Sequence, residues 1–193
     1  MIDNQNPDLL ETFLDGRIKV LVGNIVEQDV DVIVNAANSG LMGGGGVDGA
    51  IHRAAGPQIL EECREIRRTK FPKGLPTGLA VITTGGNLPA KYVIHTVGPV
   101  YGVRQQESPE LLAACYRNSL SLAVENNLQS IAFPSISTGA FHYPREDAAR
   151  ISSEAINNYL LADDTLKEVR LVFFSLSDAK VLLKNHNFRH SGQ

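Results

Sequence analysis

The chain has 193 residues and a mass of 20.9 kDa, enough for one compact domain that supports its core without disulfide or metal staples. Hydrophobic residues make up 43% and charged residues 20%, which excludes a disordered chain. Eighteen Lys and Arg stand against 21 Asp and Glu, a net charge of -3 that argues against a polybasic nucleic-acid binder.

Met1 to Leu14 carries Asp3, Asp8 and Glu11, with no basic segment and no long apolar run. It does not read as a signal or transit peptide, and we expect a plain N-terminal extension. Arg17 to Val22 alternates as a strand and ends at Gly23-Asn24. Val30 to Asn35 is a second, more apolar strand. Ala80 to Thr84, Tyr92 to Thr96, Ser130 to Pro134 and Val169 to Phe174 complete six. Helical patterns lie between them at Asp48 to Ala55, Gln58 to Arg68, Pro109 to Glu125, Arg145 to Leu160, and from about Ser177 onward. Strands alternating with helices predict an α/β sandwich whose sheet is covered on both faces. We expect a single domain with its core at about 17–185 and a disordered tail from His186 to Gln193. No stretch reaches eighteen apolar residues, so no transmembrane helix is expected. Cys63 and Cys115 form no CxxC pair and read as free thiols of a reducing cytoplasm. His52, His95, His142, His186 and His190 are scattered without metal-site spacing, so no metal set is expected.

Six of the 17 glycines fall between Gly40 and Gly49, four of them consecutive from Gly43 to Gly46. Such a run between a strand and a helix exposes backbone N–H groups and makes an anion site. Gly44, Gly46 and Gly49 satisfy GxGxxG, but the motif starts too far from its strand for a dinucleotide fold, and Asp48 sits inside it. No Lys-Ser/Thr follows, which excludes a Walker A loop. A second loop, Pro134 to Pro144, offers N–H and hydroxyl donors at Ser137, Thr138 and Gly139 where another strand ends.

The segments VIVNAAN (Val32 to Asn38), GGGGVDGAIHRAAGP (Gly43 to Pro57), VIHTVGP (Val93 to Pro99) and PSISTGAF (Pro134 to Phe141) resemble the macrodomain family, which binds ADP-ribose. The likeness spans about residues 17 to 176. It is closest to the branch that removes mono-ADP-ribose from acidic side chains and deacetylates O-acetyl-ADP-ribose. The resemblance implies a three-layer α/β/α sandwich with a mixed, mostly parallel sheet. It also implies ADP-ribose, or a protein or small molecule that carries it, as partner, with no cofactor, no membrane and no nucleic acid, and a monomer.

By motif, Gly44, Gly45, Gly46 and Val47 would grip the diphosphate against Ser137, Thr138, Gly139, Ala140 and Phe141. Asn35 would bond the distal ribose hydroxyls, with Asn38 in the binding set. Asp48 would orient the attacking water, with His52 one turn on as its partner. Ile25 and Phe174 would flank the adenine. Two positions depart from the family. Asn24 stands where an Asp accepts the adenine amino group, which removes a charge from that bond. His142 replaces a glycine; it is read either as narrowing the distal-ribose end or as a bystander, and the bystander reading is favoured. Two rival readings are a reader without turnover and an RNA-binding or RNA-end-processing protein. The cations Arg64, Arg67, Arg68, Lys70 and Lys73 would serve the latter, although they interleave with Glu61, Glu62 and Glu65.

Overall fold

The computed structural model describes residues 8–189. Seven strands are present: β1 (Asp8–Phe13), β2 (Ile18–Val22), β3 (Val32–Ala37), β4 (Ala80–Thr84), β5 (Tyr92–Val97), β6 (Ser130–Phe133) and β7 (Glu168–Phe173). Five α-helices accompany them: α1 (Gly46–Ala55), α2 (Pro57–Thr69), α3 (Ser108–Glu125), α4 (Arg145–Ala162) and α5 (Leu176–Asn185). The strands join one sheet in the order β1-β2-β7-β6-β3-β5-β4. The five central strands run parallel, and β1 and β4 close the two edges antiparallel.

Side chains alternate across the sheet and divide the core between two faces. Val32, Val34, Ile131, Phe133 and Leu171 pack with α3, α4 and α5. Ile33, Val93, Ala132 and Val172 pack with Ile51 and Ala55 of α1 and Ile59 of α2. The result is the expected α/β/α sandwich with a mixed, mostly parallel sheet. No helix among the described residues is long and apolar enough to cross a membrane.

The structure corrects the reading at both ends. Asp8–Phe13 is a seventh strand and not a plain extension; it pairs with β2 with a bulge between Leu9 and Glu11. An edge strand covered on one side, with a bulge, carries no clean alternation. Residues 1–7 lie outside the described residues. The expected disordered tail is also revised: Phe188 is buried and its ring lies 4.8 Å from that of Phe13. The Asn187 N–H donates to Ser153 Oγ at 2.8 Å, and the Arg189 N–H to Asn157 Oδ1 at 3.2 Å. Residues 190–193 lie outside the described residues.

A third revision bears on the site. β3 starts at Val32 and runs through Ala37, two residues later at each end than expected. Asn35 is therefore inside the sheet, in register with His95 of β5. It shares the face of Ile33 and points toward α1 and α2, not into a loop.

Candidate functional site

The loops that follow β2, β3, β5, β6 and β7 enclose a cavity of about 830 Å³ at the carboxyl ends of the parallel strands. That is where open α/β sheets bind ligands, and the volume suits one of nucleotide size. Asn24, Ile25, Asn38, Gly44, Gly45, Gly46, Val47 and Asp48 line it. So do Ser137, Thr138, Gly139, Ala140, Phe141 and Phe174. Apart from Asn35, every residue expected to bind ligand lines this one cavity, with Asp48.

Two walls of this cavity are rows of backbone donors. The N–H groups of Ser137 through Phe141 have no acceptor among the described residues, and those of Gly44 through Val47 have none either. The latter open α1, whose dipole adds positive potential. The Ser137–Phe141 row is held in an unusual shape. Ser137 has φ +66°, a left-handed conformation that costs a non-glycine residue about 1–3 kcal/mol. The Tyr143 N–H donates to the Ser137 carbonyl at 2.9 Å, and the Tyr101 N–H to the Phe141 carbonyl at 2.9 Å. The Ser137 hydroxyl is buried without a partner.

At one end stand Asp48 and Asn38. Asp48 is in the first turn of α1 and only 5% exposed. Its Oδ1 accepts from Asn35 Nδ2 at 2.7 Å and lies 3.4 Å from His52 Nε2. That last pair is close in distance, but Nε2 is not aligned for a hydrogen bond. A Cβ built on Gly44 would come within 3.2 Å of Asp48 Oδ2 and 3.4 Å of Asn38 Nδ2. The glycine therefore lets the loop lie directly over both groups.

Asn35 sits behind the lining. It is fully buried, and its Oδ1 has no hydrogen-bond partner among the described residues. Its two amide hydrogens go to Asp48 Oδ1 and to His95 Nδ1, the latter at 3.1 Å. Since Nδ1 accepts, the His95 proton is on Nε2 and donates to Thr83 Oγ1 at 2.9 Å. Thr83 Oγ1 donates onward to the Thr84 carbonyl at 3.0 Å. A chain of polar groups thus runs from β4 through β5 and β3 to the carboxylate of Asp48. Sequence reasoning missed His95 and Thr83, which lie far from Asp48 in the chain. It also missed Arg53, which lines the cavity one turn after Gly49 on α1.

Burial holds the His95 imidazole down to about pH 3, helped by the neighbouring His52. The unfolded chain takes this proton near 6.5, so stability from His95 is fully present above that pH and is lost as pH falls. We expect the loss to reach ~1.4 kcal/mol per pH unit from this group. His95→Gln should flatten the dependence between about pH 6.5 and pH 4.5 in urea denaturation. Equal slopes in the two proteins would contradict this assignment.

His52, Cys63 and His95 converge although their spacing in the chain suggested nothing: each offers a ligand atom, and these lie within 4.8 Å of one another. Both ring nitrogens of His95 already have polar partners, Asn35 and Thr83. Burial, with the charges of Asp48 and Glu62, pushes the Cys63 thiol up to about 12, so it keeps its proton. Cys63 and Cys115 are both free.

His142 does not narrow the cavity. It is exposed, sits at φ +56° and is absent from the lining. Its left-handed backbone turns the chain away, with its N–H donating to the Gly139 carbonyl at 3.0 Å. His142→Gly should therefore leave ligand affinity unchanged, and relief of the left-handed strain should stabilise the fold by up to ~1 kcal/mol. Titration and thermal melting test this; a changed affinity would place His142 at the ligand.

Residues 34–152 match the Macro domain family. A macro domain-containing protein of Caldanaerobacter subterraneus subsp. tengcongensis is 55% identical over 168 residues, covering 87% of this chain and 94% of the relative. An O-acetyl-ADP-ribose deacetylase of Cronobacter sakazakii is 52% identical over 161 residues, 83% of this chain and 88% of that protein. The Oceanobacillus iheyensis macrodomain solved with ADP is 46% identical and has a TM-score of 0.85, with 87% of this chain and 88% of that one covered. The Trypanosoma brucei macrodomain in complex with ADP-ribose is 41% identical, TM-score 0.80, over 88% of this chain and 68% of that one. With the sheet order, the cavity and these likenesses in agreement, the chain belongs to the Macro domain family.

Proposed function

We propose that the protein binds ADP-ribose and hydrolyses its derivatives, mono-ADP-ribose on acidic side chains and O-acetyl-ADP-ribose, by water attack near the distal ribose. The observation that carries this is the placement of the Asp48 carboxylate at one end of a cavity walled by two rows of free N–H groups. The names of relatives support it: a deacetylase of O-acetyl-ADP-ribose and macrodomains solved with ADP and ADP-ribose.

In this reading the diphosphate bridges the two rows of donors. An anion is thus held by neutral N–H groups and helix α1 in a protein of net charge -3. Asn38, on the cavity wall, meets the distal ribose, and Asn35 behind it keeps Asp48 in place. Asp48 Oδ1 is committed to Asn35, which leaves Oδ2 for a water at the ribose end. Water adds, the bond to the acyl group breaks, and ADP-ribose and the free acid leave. The acceleration comes from placement and electrostatics, with no covalent nucleophile in the chain. The two free thiols suit a reducing cytoplasm.

Calorimetric titration with ADP-ribose, combined with ADP-ribose release from a substrate modified on an acidic side chain, tests the proposal. Binding with release supports it. Binding without release at high enzyme concentration reduces the protein to a reader, and absence of binding rejects the reading.

A further inference from the structure

The cavity lining around Ile25 and Phe174 suits a flat ring, and Asn24 beside Ile25 sets its polar character. Ile25 is buried and forms one wall, while the Phe174 ring, just past β7, is 88% exposed. An aromatic face left open on a cavity wall is a stacking surface for a base. Asn24 also lines the cavity, next in the chain to Gly23, whose N–H donates to the Phe173 carbonyl at 2.9 Å.

The orientation of the Asn24 amide follows from its neighbours. The N–H of Val26 is a donor and lies 3.3 Å from the side chain, so the atom facing it must be Oδ1. Oδ1 spends one of its two acceptor sites on capping the turn Ile25–Glu27. Nδ2 lies 3.4 Å from Glu27 Oε1 and has a second hydrogen to give a ligand, a donor that a carboxylate lacks. Of the charged groups in the lining, Arg53 is a donor on α1, which packs against the same turn, and Asp178 Oδ1 lies 2.8 Å from Arg145 Nη1.

A donor at the ring edge pairs with a carbonyl oxygen or a ring nitrogen, and it opposes an exocyclic amine. We infer that the base slot accepts a 6-oxopurine, so that the substrate class extends to the hypoxanthine analogue, inosine diphosphate ribose, bound at least as tightly as ADP-ribose. This rests on the nucleotide reading proposed above. Hypoxanthine and adenine have the same shape and differ at C6 and in the proton on N1, so their comparison isolates hydrogen-bond polarity from stacking.

The test is titration of the full chain with ADP-ribose and with inosine diphosphate ribose, in the parent and in Asn24→Asp. In the parent, the expected affinity for the inosine ligand equals or exceeds that for ADP-ribose. Aspartate caps Val26 equally well but presents a charged acceptor, so Asn24→Asp should shift the ratio toward ADP-ribose by about tenfold or more. A parent that prefers ADP-ribose more than about tenfold overturns the inference while leaving ADP-ribose binding intact. A ratio unmoved in Asn24→Asp overturns it as well. Binding of neither ligand rejects the nucleotide reading itself. The ratio measured in the parent needs no variant to fold.

Discussion

Replacing Asp48 with Asn lowers the release of ADP-ribose by about 100-fold or more, with ADP-ribose affinity held within a few-fold. The substitution keeps size and shape, and the new side chain can still present an oxygen to Asn35 Nδ2, at 2.7 Å in the parent. What it removes is the negative charge that orients water and accepts its proton. Asp48→Ala should be equally inactive, but for a mixed reason. It also strands a buried N–H of Asn35, a loss of about 1–3 kcal/mol visible in denaturation. The pair of variants separates chemistry from scaffolding, and single-turnover assays with calorimetry read both. Turnover within a few-fold of the parent in Asp48→Asn would remove Asp48 from the reaction.

Gly49→Ala should cost both stability and affinity. A Cβ on Gly49 would lie 2.4 Å from the Gly44 carbonyl oxygen and 3.0 Å from Arg53 Nη1. The first of these is backbone and cannot rotate aside, so either α1 or the glycine loop must move. We expect a loss of ~1–3 kcal/mol in stability, in the range of an overpacked core. Because Gly44 also lies against Asp48 and Asn38, the same displacement should weaken ADP-ribose binding by about tenfold or more. Gly45→Ala is the control for stability: φ is -94° there, and a Cβ meets nothing within 4 Å. Melting curves and titrations on both variants check this; parent-like behaviour of Gly49→Ala would show that the loop yields freely.

The cavity-lining residues were legible in the chain because most lie in contiguous runs, Gly44 to Asp48 and Ser137 to Phe141, each between a strand and a helix. Their function follows from free N–H groups, which depend on local conformation. What supports Asp48 was not legible in the same way. Asn35 was read as the last residue of its strand, yet pairing with β5 carries the strand on through Ala36 and Ala37 and leaves Asn35 inside the sheet. His95 joins Asn35 only through sheet register, and Cys63 approaches His95, at 3.9 Å from Nε2, only once α2 covers that face. Arg53 is a different case. Its position four residues after Gly49 on α1 could have signalled a shared face. β1 was hidden by the exposed Glu11 and its bulge, and Phe188 by the absence of any periodic partner near it.

The rows of free N–H groups have a practical consequence for every measurement proposed above. Backbone donors without protein acceptors must be met by solvent or by whatever small anion the solution supplies. Phosphate and sulfate present the same oxygens as a diphosphate and should compete for Ser137 to Phe141 and Gly44 to Val47. Apparent affinities for nucleotide ligands would then fall as buffer anion rises, even at constant ionic strength, and comparisons between laboratories would hold only in matched buffers.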